Sequence, residues 1–348
     1  MRLSDFDYHL PKDKIALFPV NERADAKLLC VDRGTGAISH RVFRDLPDIL
    51  RPTDLLVLNN TKVLPARLFG KRPTGGKVEA LLLKEFDANV WECLLKPGGR
   101  VREGQTVDFT ANGIEFSAEV INKPVPDSGQ RFVRFLGDGV KEKIKMLGHI
   151  PLPPYIDRPD QAIDRNMYQT VFAEKEGAVA SPTAGLHFDE ALLAKVRAKG
   201  VEVVPVTLHV SYGTFQPIAV ENIEDHKMFE EEYEITEDAA ARINKAKREG
   251  RRVVVCGTTC VRALESAVNS TPSTPGVGAG RARTSIFIHP PYEFRIVDAL
   301  ITNFHMPKST LLVMLAAFLD YNKMMTAYKA ALENDYRFAS YGDAMFIA

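Results

Sequence analysis

Residues 27–32 and 38–43 read as strands around the turn Arg33-Gly34-Thr35-Gly36. Leu55-Leu56-Val57-Leu58 is a continuous apolar run, which fits a strand buried on both faces, and it stops at Asn59-Asn60-Thr61. From residue 67 to 148 the pattern shortens. Segments 77–86, 90–95, 114–121 and 132–135 are separated by turns at 74–76, 97–99, 111–113 and 136–139, and no long helical period runs through them. Many short strands at close spacing predict a small β-barrel or sandwich, closed off by the proline-rich 151–154.

Strands and helices alternate beyond that point. Residues 178–180 read as a strand, and Asp189 is placed to cap a helix over 190–199 that Gly200 ends. A strand over 201–206 follows, then a helix opened by Thr236 with Glu237 and Asp238 in its first turn, and Gly250 after it. A strand at 252–256, a helix at 259–268, a strand at 297–302 and helices at 309–319 and 327–333 complete the alternation. Residues 270–283, rich in Ser, Thr, Pro and Gly, read as a mobile loop. The fold class expected is a layered α/β main domain, residues 1–66 with 150–348, interrupted by an inserted all-β, barrel-like domain over 67–149.

Composition narrows the function classes. Lys+Arg and Asp+Glu are 45 each, so a strongly basic protein that coats nucleic acid is excluded while a local basic face is not. Residues 221–238 hold nine acids against Lys227, whereas Arg242, Lys245, Lys247, Arg248, Arg251 and Arg252 follow with only Glu249 opposing. Either stretch also reads as a solvated helix face. Arg281, Arg283, Lys62, Arg67, Lys71 and Arg72 are further candidate phosphate contacts. Four scattered cysteines, with no Cys-x-x-Cys or His-Glu-x-x-His spacing, give no support to a disulfide framework or a metal site. The start of the chain lacks an apolar targeting segment, and the longest apolar run, 311–319, falls far short of the ~20 residues of a membrane span. A soluble, cytoplasmic protein is expected.

Polar residues collect where strands should end, which is where α/β folds gather their sites. Asn59-Asn60-Thr61 is either a turn or a polar floor that reads a base or ribose edge. Ser181-Pro182-Thr183-Ala184-Gly185-Leu186-His187-Phe188 is a small-residue loop entering a helix, suited to an anion or carboxylate, or an ordinary strand–helix loop. His209 with Gly213-Thr214-Phe215, and His226 with Lys227-Met228, supply imidazoles that titrate near neutrality. Gly257-Thr258-Thr259 lacks the lysine and length of a phosphate-binding loop, and Gly276-Val277-Gly278-Ala279-Gly280 follows no strand, so it reads as loop rather than dinucleotide fingerprint. Thr302-Asn303-Phe304-His305, followed by Pro307-Lys308-Ser309-Thr310, is again a strand end running into a cap.

Number and order make these words specific. Together with the opening Asp5-Phe6-Asp7-Tyr8, Pro65-Ala66-Arg67-Leu68, Leu264-Glu265-Ser266 and the closing Tyr341-Gly342-Asp343-Ala344-Met345, they resemble the S-adenosylmethionine:tRNA ribosyltransferase-isomerases of queuosine biosynthesis nearly end to end. Ser211 and Pro291 stand where that family commonly has glycine, and Phe229-Glu230-Glu231 stands where it usually has His-Ser-Glu.

The resemblance implies that S-adenosylmethionine is a co-substrate, that no metal takes part, and that the partner is the anticodon stem-loop of a tRNA carrying a modified wobble base. A monomer is expected. On this reading the ribosyl part passes to the aminomethyl nitrogen of 7-aminomethyl-7-deazaguanine, epoxyqueuosine forms, and adenine and methionine leave. The sulfonium acidifies the 5′ protons, which calls for a neutral His or a carboxylate as base, and a donor to adenine eases its departure. His187, His209, His226 and His305 are the candidate acid–base set. Candidate binding residues are Asn59, Asn60, Thr61, Arg67, Ser181, Thr183, Gly185, Phe188, Gly213, Thr214, Phe215, Gly257, Thr258, Thr259, Asn303, Phe304, Ser309 and Thr310. Among them Phe188, Phe215 and Phe304 offer aromatic faces to a sulfonium. An S-adenosylmethionine-dependent methyltransferase and a non-catalytic RNA-binding module are the competing classes; the first would show a glycine-rich word closing its first strand, and none is found.

Overall fold

A computed structural model describes residues 1–111, 113–121, 129–215, 218–269 and 275–348, with the side chains of residues 100, 214 and 215 left aside. Nine strands form the main sheet, in the order Gly280–Thr284, Glu231–Ile235, Glu202–Leu208, Leu55–Asn59, Val253–Cys256, Ala299–Asn303, Ala344–Ile347, Lys27–Val31 and Ile38–Val42. The run of four from Glu202–Leu208 to Ala299–Asn303 is parallel. Three of these four are buried at every position, as expected for strands with helices over both faces. Leu55, Val57, Val255 and Leu300 pack on one side of the sheet, and Leu56, Leu58, Val254 and Ile301 on the other.

Six strands between Arg67 and Phe135 close into an antiparallel barrel. Phe109, Phe116, Phe135, Cys93 and Trp91 belong to its core, and Ile144 and Leu147 of the Val140–Leu147 helix pack into the same core. The barrel leaves and rejoins the body at one point. Arg67 and His149 exchange backbone hydrogen bonds at 3.2 and 2.8 Å, forming an isolated antiparallel bridge. Beside it, Thr61–Val63 pairs in parallel with Lys175–Ala178, so the main chain on either side of the insert is stitched together.

Helix starts follow local chemistry. Asp189, Thr236 and Ser309 each accept a hydrogen bond from the backbone N–H three residues on, opening Glu190–Ala198, Glu237–Arg248 and Thr310–Leu319.

The structure corrects the expected loop over 270–283. Residues 270–274 lie outside the described set, but Gly276–Val277 is a strand and Gly280–Thr284 forms the outer edge of the main sheet. Glu231–Ile235, inside the acidic run that also read as a solvated face, is the strand beside it. Its alternation buries Glu231, Tyr233 and Ile235 and leaves Glu232 and Glu234 half-exposed. The closing Ala344–Ile347 is a further strand, and the last helix, Tyr321–Glu333, starts earlier than its sequence pattern showed.

Candidate active site

The parallel strands aim their carboxyl ends at one edge, and the polar words stand there. Asn59 ends its strand and is fully committed. Its Nδ2 donates to the Leu208 carbonyl (3.0 Å) and Thr259 Oγ1 (3.1 Å), while its Oδ1 accepts from the N–H groups of Thr61 and Leu208. Asn60 is likewise occupied, between Glu174 Oε2 and Thr207 Oγ1. Both buried amides thus fasten three loops to one another.

Two cavities adjoin at this edge, and Val210 lines both. The larger, about 780 Å³, lies between barrel and body. Trp91, Glu92 and Phe132 line it from the barrel, and His209, Ser211, Gly213 and Glu231 from the body. The smaller, about 140 Å³, is lined by Ser181, Thr183, Thr258, Thr259, Asn303 and His305, with the backbone of Gly257 and the residues Phe304 and Ser309. Four distant stretches of the chain therefore meet around Val210.

Charge distinguishes the larger chamber. Each cation on its wall stands beside a carboxylate: Lys84 by Glu232 (3.0 Å), Lys141 by Glu85 (2.7 Å), Lys145 by Glu176 (3.0 Å) and Arg283 by Glu230 (3.7 Å). Burial pushes the carboxyl of Glu92 up, whereas Lys84 holds Glu232 down. Deeper in, Glu231 pairs with buried Arg262 and its Oε1 accepts from the Ser211 N–H at 2.8 Å. Phe229, where the resembling family has His, packs its ring against Gly213.

The four histidines separate by environment. His209 lines the larger cavity, and its Nδ1 is 2.8 Å from Thr61 Oγ1. Thr61 Oγ1 is also 3.5 Å from the Lys175 carbonyl; donating there, it would accept from His209 Nδ1–H, the tautomer that leaves the lone pair on Nε2. Burial lowers the His209 pKa, with Glu232 and Glu234 acting in the opposite sense. His305 and His187 are driven down to about 3, chiefly by burial. His305 Nε2 lies 2.9 Å from Thr302 Oγ1, and His187 Nε2 lies 3.2 Å from Asn303 Nδ2. His226 lines neither cavity; it stands edge-on to the Phe287 ring, and burial lowers its pKa.

Several candidate binding residues stand apart from the cavities. Phe188 is fully buried beneath the sheet, edge to face with Phe43 at 5.0 Å, and has no face to offer a ligand. Gly185 packs against Phe172. Arg67 lies in a separate crevice by Glu79 and donates to the Leu152 carbonyl. Thr310 borders a small recess beside Arg262. Thr214 and Phe215 belong to the Tyr212–Phe215 turn, and their side chains are outside the described set.

The barrel's contribution went unread in the sequence. Trp91, Glu92, Lys84 and Phe132 sit in ordinary-looking strands, and only the chain's single tryptophan was a signal. Tyr155, bonded to Ser340 Oγ at 2.7 Å, lines the smaller cavity and carried no signal of its own. Among the described residues, no group of three or more His, Cys, Asp or Glu is arranged to hold a metal, and no helix is long and apolar enough to cross a membrane.

Comparison with known proteins is consistent along the whole chain. Residues 3–347 match the family model described as Queuosine biosynthesis protein. Proteins named S-adenosylmethionine:tRNA ribosyltransferase-isomerase from Desulfitobacterium hafniense and Sulfurihydrogenibium sp. are 48% and 47% identical, with complete coverage of both chains. The one from Halothermothrix orenii is 46% identical over the same extent. A crystal structure of the S-adenosylmethionine tRNA ribosyltransferase of Thermotoga maritima aligns with a TM-score of 0.55 at 33% identity, covering 99% of this chain and 100% of that one. With matching words, matching fold and end-to-end similarity, this chain belongs to the S-adenosylmethionine:tRNA ribosyltransferase-isomerase family of queuosine biosynthesis.

Proposed function

We propose that the chain transfers and isomerises the ribosyl moiety of S-adenosylmethionine onto the aminomethyl nitrogen of 7-aminomethyl-7-deazaguanine at the tRNA wobble position. Epoxyqueuosine forms, and adenine and methionine leave. The observation that carries the proposal is the meeting of four polar loops at two adjoining cavities, in a chain similar to the family over its full length. Residues 1–66 and 150–348 act as the catalytic body, and 67–149 as an inserted domain that closes one side of the larger cavity.

His209 is the base in this reading. Held neutral by burial, with its Nε2 lone pair available, it takes a 5′ proton acidified by the sulfonium. Glu92 accepts from the N–H edge of the deazaguanine. His187 and His305, neutral to well below physiological pH, position Asn303 and the 302–305 turn rather than carry protons. The exposed pairs around Lys84, Lys141, Lys145 and Arg283 are weakly held and exchange their carboxylates for phosphates of the anticodon stem-loop. The working form is a cytoplasmic monomer.

The test is direct. Incubation with S-adenosylmethionine and tRNA bearing the aminomethyl base should release adenine and methionine and yield a nucleoside with the mass of epoxyqueuosine. Production of S-adenosylhomocysteine without adenine would instead establish methyl transfer, and an intact co-substrate would leave only RNA binding.

A further inference from the structure

We infer that the smaller cavity is the seat of the α-amino acid head group of the sulfonium substrate, carboxylate on one wall and ammonium on the other. The inference rests on the ribosyl-transfer reading and specifies how that substrate is oriented.

Size separates the chambers. About 140 Å³ is below the roughly 300 Å³ at which pockets for whole drug-sized ligands begin, so adenosine is assigned to the larger cavity and the amino-acid end to the smaller. The two parts of one ligand then join past Val210.

Residues that line the cavity carry buried polar atoms unmatched in complementary ways. Ser181 is 4% exposed, and its Oγ has no hydrogen-bond partner. Beside it, Thr258 and Thr259 begin the nine-residue helix Thr258–Ser266, so their N–H groups have no helical carbonyl to reach. Gly257, at φ 92°, makes the turn that brings this helix end to the cavity. A hydroxyl and two N–H groups at a helix N-terminus are what a carboxylate requires.

Asn303 is the opposite case. It is 2% exposed, and its Nδ2 donates to the Ala339 carbonyl at 3.2 Å, an acceptor that settles which end of the amide is which. The same Nδ2 meets His187 Nε2, which accepts, since an amide nitrogen has only protons to offer, and so the neutral ring carries its own proton on Nδ1. Asn303 lines the cavity, and its Oδ1 is buried with no partner. A buried acceptor without a donor is costly, and an α-ammonium group supplies the donor. His187 is thus a positioning residue, holding the amide so that its oxygen faces the ligand.

Equilibrium dialysis of the full chain with labelled S-adenosylmethionine sets the reference affinity. Decarboxylated S-adenosylmethionine and the analogue lacking the α-amino group should each bind about tenfold or more weakly. Ser181→Ala should weaken the parent compound but leave the decarboxylated one unchanged, and Asn303→Leu should discriminate in the same manner against the ammonium. The ligand truncations need no variant, so they decide the matter even if a variant misfolds. Equal affinity for the parent and both truncated compounds would overturn the head-group seat and leave ribosyl transfer standing. Failure of the unaltered chain to bind S-adenosylmethionine or to release adenine from it would overturn both.

Discussion

Asn59 and His209 stand at the ends of two neighbouring strands and look alike in the sequence, yet the fold treats them oppositely. Both occur in polar words after apolar runs. Asn59 spends every donor and acceptor on Leu208, Thr259 and Thr61, whereas His209 keeps Nε2 uncommitted beside a large cavity. Which polar residues are free is a matter of what else arrives at the same place, and local spacing does not carry it. The proposed base has a pH signature. A base works unprotonated, and burial moves the His209 pKa below 6.5, so the acid limb of adenine release should lie below that pH. His209→Ala should lower kcat by about 10²–10⁴-fold with little change in S-adenosylmethionine affinity. An acid limb at or above neutrality, or a variant with undiminished turnover, would remove His209 from that role.

Elements whose determinants are local were legible. The caps at Asp189, Thr236 and Ser309 act over three residues, so the sequence shows them directly. The edge strands Glu231–Ile235 and Gly280–Thr284 were not legible, because their acids and arginines pair across strands: Glu234 meets Arg281, and Glu231 meets Arg262 of a helix. The junction of barrel and body is an element-scale device of the same sort. Gly148 ends the Val140–Leu147 helix with its α-carbon pressed against the Pro65 carbonyl, next to the Arg67–His149 bridge. A methyl group there meets backbone on both sides and cannot be relieved by a rotamer. Gly148→Ala should therefore destabilise by about 1–3 kcal/mol, read as a lower denaturant midpoint at unchanged m-value. Wild-type stability in that variant would show the junction to be pliant.

Across the whole molecule, two fully buried neutral histidines couple stability to pH. His187 and His305 titrate at about 3 in the folded chain, against 6.5 for a free imidazole. Above 6.5 neither state takes up the proton. As pH falls from there toward 3, the unfolded chain binds protons that the folded chain refuses, so stability declines across that window. At pH 5 the loss is about 2 kcal/mol for each ring, seen as a falling denaturant midpoint between pH 7.5 and 5. Replacing both by Gln should flatten that slope; an unchanged slope would mean that other groups set it. The apolar runs, caps and glycine-rich turns determined by themselves that an α/β body would carry a β insert, since each of those signals acts over a few neighbouring residues. The polar words at strand ends likewise marked where chemistry would gather. Only the tertiary structure decided which of those words face a cavity. It also decided that Trp91 and Glu92 of the barrel share one cavity, and that Ser181, Thr258 and Asn303 line the other. Contacts between residues a hundred or more positions apart are set by the closure of barrel onto body and the order of strands in the sheet, and no periodicity along the chain records either.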